Sequence, residues 1–145
     1  MNDLERARAC AEKMYAGDSA SKALGIKIEI PEPGSAVATM HINEDMVNGF
    51  DICHGGLVFA LADTAFAFAC NAYDDLTVAG SGTIEFLRPV NLEDDLRARA
   101  LEEHRGRRNG LYAVEVLNQH NEFVALFRGR SVSRGQRILD DQTDT

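Results

Sequence analysis

The 145-residue chain has no apolar run long enough to span a bilayer without meeting a charge. Its most hydrophobic stretch, residues 54–73, carries Asp63 in its interior and is flanked by Asp51, Asp74 and Asp75. The opening segment, MNDLERARACAEKMYAGDSA, lacks the apolar core of a signal peptide. These absences predict no membrane partner and a cytoplasmic location. Cysteine is scarce. Cys10, Cys53 and Cys70 are spaced for neither a zinc site nor a disulfide framework, so reduced thiols and no metal are expected. Positive charge is in deficit: a net charge of −8 argues against nucleic acid as a partner. No internal repeat, low-complexity segment or Pro/Gly-rich linker interrupts the chain. One domain over residues 1–145 is therefore expected, long enough to bury a core.

The charge that is present is unevenly placed. Residues 1–87 carry 5 basic and 13 acidic side chains, residues 88–145 ten of each, and all ten basic residues in the second part are arginines. Solvated strand faces account for such a pattern, and so does a site for a small anionic ligand.

Hydrophobic periodicity divides the chain into elements. Leu4, Ala7, Cys10, Ala11 and Met14 share a helical face, which predicts a helix over residues 3–16 in an N-terminal helical segment 1–20. LGIKIEI (24–30) reads as a strand, PEPG (31–34) as a turn, and SAVATMHI (35–42) as a strand with Ala36, Ala38, Met40 and Ile42 on one side. Residues 43–53 are irregular and lead into the long apolar helix, which ends near AYDD. Four strand-like runs follow, at 77–87, 95–104, 111–119 and 122–133, bounded by GSG, PVNLEDD, GRRNG and QHNE. The tail from 135 to 145 is expected to be flexible. A helix apolar all round cannot face water, and an antiparallel sheet wrapped around it would bury it. The expected fold class is α+β.

Asp63 is the feature of that helix that packing does not explain. A buried carboxylate is paired, protonated, or kept for a purpose. Gly55 and Gly56 stand at the helix start, where backbone N–H groups lack intrahelical partners and the helix dipole attracts negative charge. Such groups suit the oxyanion of an acyl-transfer intermediate, and glycine lets a ligand approach them closely. One stretch thus holds an oxyanion donor and a base or nucleophile. They cannot meet within one chain: eight residues of helix separate Gly55 from Asp63, about 12 Å. An antiparallel second copy would set its Asp63 opposite the first Gly55 and create two equal sites. A homodimer with shared sites is expected.

NGFDICHGGLVFALADTAFAFACNA (48–72), SGTIEFLRPV (81–90) and ALFRGRSV (125–132) together resemble the hotdog-fold acyl-CoA thioesterases, and within them the PaaI group of phenylacetate degradation. The resemblance runs from about residue 12 to 133. It implies a hotdog fold, an antiparallel sheet wrapped around one long central helix, and dimers that pair into tetramers. It implies that the Gly55 N–H polarises the thioester carbonyl and that Asp63 of the partner subunit acts as nucleophile or as general base for water. Asn48, His54 and Ser81 match residues around the thioester or the attacking water. Read without the resemblance, Asn48 is a turn residue, His54 a helix-start residue that caps or packs, and Ser81 a turn or strand start. Phe66 and Phe68 are core residues or walls of an acyl pocket.

Coenzyme A brings phosphates, which arginine's planar fork suits. Arg88, Arg108 and Arg130 are the preferred candidates, with Gly56, Thr64 and Thr83 as further substrate contacts. The coenzyme is part of the substrate, so no separate cofactor is expected. The implied reaction is hydrolysis of an acyl-CoA thioester, with phenylacetyl or ring-hydroxylated phenylacetyl as acyl group. Two alternatives are a hotdog hydroxyacyl-thioester dehydratase or hydratase, and a non-catalytic acyl-CoA binding module.

Overall fold

A computed structural model describes residues 1–139. The chain forms α1 (Asp3–Ala16), α2 (Ser19–Ala23), β1 (Lys27–Glu29), β2 (Ser35–His41), a 3-10 turn (Glu44–Met46), α3 (Gly55–Cys70), β3 (Thr77–Phe86), β4 (Asp95–Arg105), β5 (Asn109–Leu117) and β6 (Phe123–Ser133). The strands make one six-stranded sheet in the order β1-β2-β4-β5-β6-β3, and every neighbouring pair is antiparallel. The long helix α3 packs on five of the strands, β2 to β6. This is the expected α+β hotdog architecture.

Helix–sheet packing is close because both surfaces are small where they meet. Ala36, Ala38, Ala98 and Ala100 alternate inward beneath Leu61, Ala62, Ala65 and Ala69. Phe66 fills the remaining space, with ring centroids 5.6 Å from Tyr112 and 5.7 Å from Phe127. Gly129 makes room for it: a Cβ there would sit 2.9 Å from three atoms of the Phe66 ring. Phe66 and Phe68 are buried core residues, so neither walls an accessible pocket.

The N-terminal helix covers Asp3–Ala16, the span its periodicity indicates, and so fills only part of the 1–20 segment. Gly17 caps it, and Asp18 opens the separate helix α2 by accepting from the Ser21 N–H. Two expectations need correction. The GSG segment is no turn: Gly80, Ser81 and Gly82 lie inside β3, where a bulge between Ala79 and Ser81 absorbs the irregularity. The start of the supposed flexible tail is tied down. Asp74 accepts from the N–H groups of Ile138 (2.9 Å) and Leu139 (2.7 Å) and bonds Arg137. Residues 140–145 of that tail lie outside the described residues.

The sheet does not enclose α3 on all sides. Gly56 is exposed, and Ala60, Asp63, Thr64 and Ala67 are half-buried, which leaves a stripe of small residues uncovered. Strand β3 lies at the sheet edge beside it, with nearly all of its residues exposed. A ten-residue uncapped edge is a template for pairing with another chain.

Candidate active site

The site is built at the start of α3. Its N-cap position is His54, whose carbonyl accepts from Leu57 N (3.0 Å) and Val58 N (3.4 Å). The N–H groups of Gly55 and Gly56 find no acceptor among the described residues. The His54 ring makes no capping bond, so those donors are left to a ligand. Around Gly56 no atom would meet an added Cβ within 4 Å.

Beside these donors opens a cleft of about 400 Å³. Gly55, Cys53 and Arg88 line it, together with apolar Ile52, Val58, Phe86, Leu87, Pro89 and Val90. The Cys53 thiol is buried there and its pKa is pushed up to about 11, so it is no nucleophile at neutral pH. Burial pushes Cys70 up to about 11 in the same way.

Asn48 organises the loop that leads into α3. Its Oδ1 accepts from the N–H groups of Phe50 (2.9 Å) and Ile52 (3.2 Å), and its own N–H donates to the Ile52 carbonyl (2.8 Å). The turn reading of Asn48 is thus realised. With Oδ1 taken, the side chain has only its Nδ2 hydrogens left to offer a ligand.

Asp63 lies on the uncovered stripe. Its carboxylate makes no hydrogen bond or ion pair among the described residues, so of the three readings of a buried carboxylate the paired one is not realised within the subunit. Burial alone raises its pKa. Thr64, beside it, donates to the Ala60 carbonyl (2.7 Å) and is satisfied within its own helix.

Residues 50–125 match the Thioesterase superfamily. The chain is 49% identical to the acyl-coenzyme A thioesterase PaaI of Escherichia coli over 131 residues, which are 90% of this chain and 94% of that protein. It belongs to the thioesterase superfamily. The solved structure of the E. coli PaaI protein from the phenylacetic acid degradation operon superposes with a TM-score of 0.91 at 45% identity, covering 94% of this chain and 99% of that one. A mutant of the phenylacetic acid degradation protein PaaI from Thermus thermophilus superposes with a TM-score of 0.75 at 36% identity (79% and 98% covered). A Streptococcus pneumoniae hypothetical thioesterase solved with coenzyme A gives a TM-score of 0.73 at 25% identity (77% and 90% covered).

The remaining candidates of this thioesterase are spread along the sheet. Gly82 turns toward Phe59 and Phe127, so the alternation of β3 sends Ser81 and Thr83 the other way, beside Arg130 and Arg128. No hydrogen bond links Ser81 to Asp63 within the chain. Arg88 lines the cleft next to Gly55, and its guanidinium bonds Glu122 (2.9 Å) at the surface. Arg130 donates to Asn109 Oδ1 (2.7 Å) on the outer face. Arg108 lies in the β4–β5 turn, near the far end of α3 from Gly55. One subunit therefore does not gather these three arginines into a patch. Arg88 and Arg108 stand at opposite ends of β3 and its neighbours, level with Val124 and Ser133 of β6 and so roughly 30 Å apart at strand spacing.

Phe86 and Leu87 at the cleft mouth escaped the sequence reading. They are 55% and 52% exposed. The usable signal was their position: an apolar pair just before Arg88-Pro89, where proline cannot continue the ladder and the strand leaves the sheet. Among the described residues no group of His, Cys, Asp and Glu is placed to hold a metal ion, and no helix is long and apolar enough to cross a membrane.

Proposed function

We propose that the protein hydrolyses acyl-CoA thioesters whose acyl group is arylacetyl, such as phenylacetyl or ring-hydroxylated phenylacetyl, releasing the free acid and coenzyme A. The observation that carries this reading is the pair of unsatisfied functions on α3. Two glycine N–H groups open at its start, and an unpaired, half-buried carboxylate stands eight residues on.

In this reading the thioester carbonyl oxygen lies against the Gly55 N–H, and the helix dipole supports the charge that develops on it. Asp63 comes from the partner subunit. It attacks the carbonyl carbon to form an anhydride that water then cleaves, or it takes a proton from water as that water attacks. In both routes the carbon–sulfur bond breaks, the sulfur leaves with the electron pair and is protonated, and the oxygen of water ends in the carboxylic acid. Asn48 Nδ2 is a donor toward the reacting oxygen or the partner's carboxylate. Arg88 is the nearest cation to the cleft and can exchange its exposed Glu122 partner for a phosphate at low cost, because exposed ion pairs contribute little. The assembly is a dimer with two shared sites, itself paired as a dimer of dimers, in the cytoplasm.

A hydratase or dehydratase would use a histidine and an acid as a proton-shuttling pair. The His54 ring has no such partner, and His41, which does bond Asp95 (2.7 Å), stands on the exposed surface of β2. A binding module would be indifferent to the carboxylate. The test is thiol release from arylacetyl, benzoyl, short and long aliphatic CoA esters by the wild type and Asp63→Asn. The expected result is turnover by the wild type and its loss in the variant with coenzyme A binding retained. Undiminished turnover by Asp63→Asn, or none by the wild type, overturns the reading.

A further inference from the structure

We propose that Phe86 is the residue that selects an aromatic acyl group, resting on the thioester-hydrolase reading above. Its ring lies on the first residue of α3. A Cβ built on Gly55 would sit 3.0 Å from Phe86 Cζ and 3.3 Å from Cε1. Glycine at 55 therefore does two things. It leaves the N–H approachable, and it lets the ring settle against the helix start.

The substrate geometry follows from that contact. A thioester oxygen held by the Gly55 N–H places its carbonyl carbon beside the same residue, within about 3–4 Å of the donor nitrogen. The first atoms of the acyl group must then run past the Phe86 ring into the cleft walled by Ile52, Val58 and Val90. In an arylacetyl group one methylene separates the carbonyl from the ring. That spacing lets the two rings meet at the 4.5–7 Å centroid separation of offset or edge-on aromatic pairs. A straight aliphatic chain touches Phe86 with less surface and no matched quadrupole. A benzoyl group has no methylene to turn its ring.

The exposure of Phe86 supports the assignment. Phe66, Phe68 and Phe127 are buried and serve the core, whereas Phe86 is 55% exposed in a cleft whose deeper walls are buried. It contributes little to the core, and within the single subunit its apolar surface lies open at the cleft beside Gly55.

The experiment compares kcat/KM for phenylacetyl-CoA and butyryl-CoA in the wild type, Phe86→Ala and Phe86→Leu. Circular dichroism and thermal unfolding report the fold of each variant. The expected result is a wild-type preference for phenylacetyl-CoA and a fall of about tenfold or more in the phenylacetyl-to-butyryl ratio in Phe86→Ala, with a smaller fall in Phe86→Leu. A ratio unchanged in folded Phe86→Leu overturns the assignment, even where both activities fall together, because that is what a purely structural residue gives. A wild type that prefers butyryl-CoA also overturns it and leaves thioester hydrolysis standing. A wild type that releases no thiol from any ester defeats the underlying reading instead.

Discussion

The ring of Phe86 occupies the space that a side chain on Gly55 would need, its Cζ 3.0 Å from the position of the missing Cβ. Gly56, one residue on, has nothing within 4 Å of the same point. The two adjacent glycines are therefore expected to respond differently to alanine. Gly55→Ala forces the half-exposed Phe86 ring outward, which costs the fold under about 1 kcal/mol but lowers kcat/KM for an arylacetyl ester by about 10- to 100-fold. Gly56→Ala meets no clash within the subunit and gains helix propensity, so its thermal stability is expected to hold or rise by up to about 1 kcal/mol. Its activity should nevertheless fall, because the open space is reserved for substrate. Full activity in Gly56→Ala would show that nothing approaches the backbone there.

Asp63 links stability to pH with a definite sign. Burial raises its folded-state pKa above the unfolded value. Between those two values the folded chain holds the proton more tightly, so this group's contribution to stability is present at low pH and disappears as pH rises through the folded pKa. At neutral pH the charged form is a net cost. Asp63→Asn should therefore raise the melting temperature by about 2–4 °C at pH 7 while abolishing turnover. The same shift sets the acid limb of the wild-type pH–rate profile, whose midpoint should lie above the ordinary aspartate range and vanish in the variant's residual rate. A melting temperature that falls at pH 7 would mean that Asp63 has a stabilising partner in the assembly.

The far end of α3 is fixed by one side chain. Asn71 Nδ2 donates to the carbonyls of Ala67 (2.9 Å) and Thr77 (3.1 Å), and its Oδ1 accepts from the Thr77 N–H (2.8 Å). Asn71 is buried, so Asn71→Ala strands these backbone groups. A loss of about 2–3 kcal/mol in urea unfolding is expected, larger than for a surface substitution. A loss under about 0.5 kcal/mol would mean that water replaces the amide at no cost.

How much of this was legible beforehand depends on the range of the forces involved. The inward set Ala36, Ala38, Met40 and Ile42 and the amphipathic face of α1 were readable because side-chain period is a local property. Ser81 stays open between turn and strand in the sequence because glycines on both sides signal a turn, and the pairing of β3 with β6 decides for the strand. Gly55 and Asp63 stood out as unlike their surroundings in an apolar run. Phe86 did not, since a phenylalanine in a strand is ordinary until its exposure and its contact with Gly55 are known. The arginines were the least legible: charge composition counts them but does not say that Arg88 and Arg108 sit at opposite ends of the sheet.

The distance along α3 gives the sharpest test of the shared site. Eight helical residues hold Gly55 and Asp63 about 12 Å apart in one subunit, beyond the reach of a common reacting carbon. Two inactive variants can therefore repair each other. Asp63→Asn subunits keep an intact helix start, and Gly55→Val subunits keep an intact carboxylate. A heterodimer of the two contains one site with both intact parts and one with neither. Unfolded and refolded together in equal amounts, the subunits form heterodimers half of the time, which predicts recovery to about a quarter of wild-type activity. Each variant refolded alone should stay near its background rate. If all catalytic groups came from one subunit, every site in the mixture would carry a lesion and no recovery would occur. A mixture no more active than its components, with dimers confirmed by light scattering, would therefore place Asp63 and Gly55 in separate roles and remove the basis for a shared site.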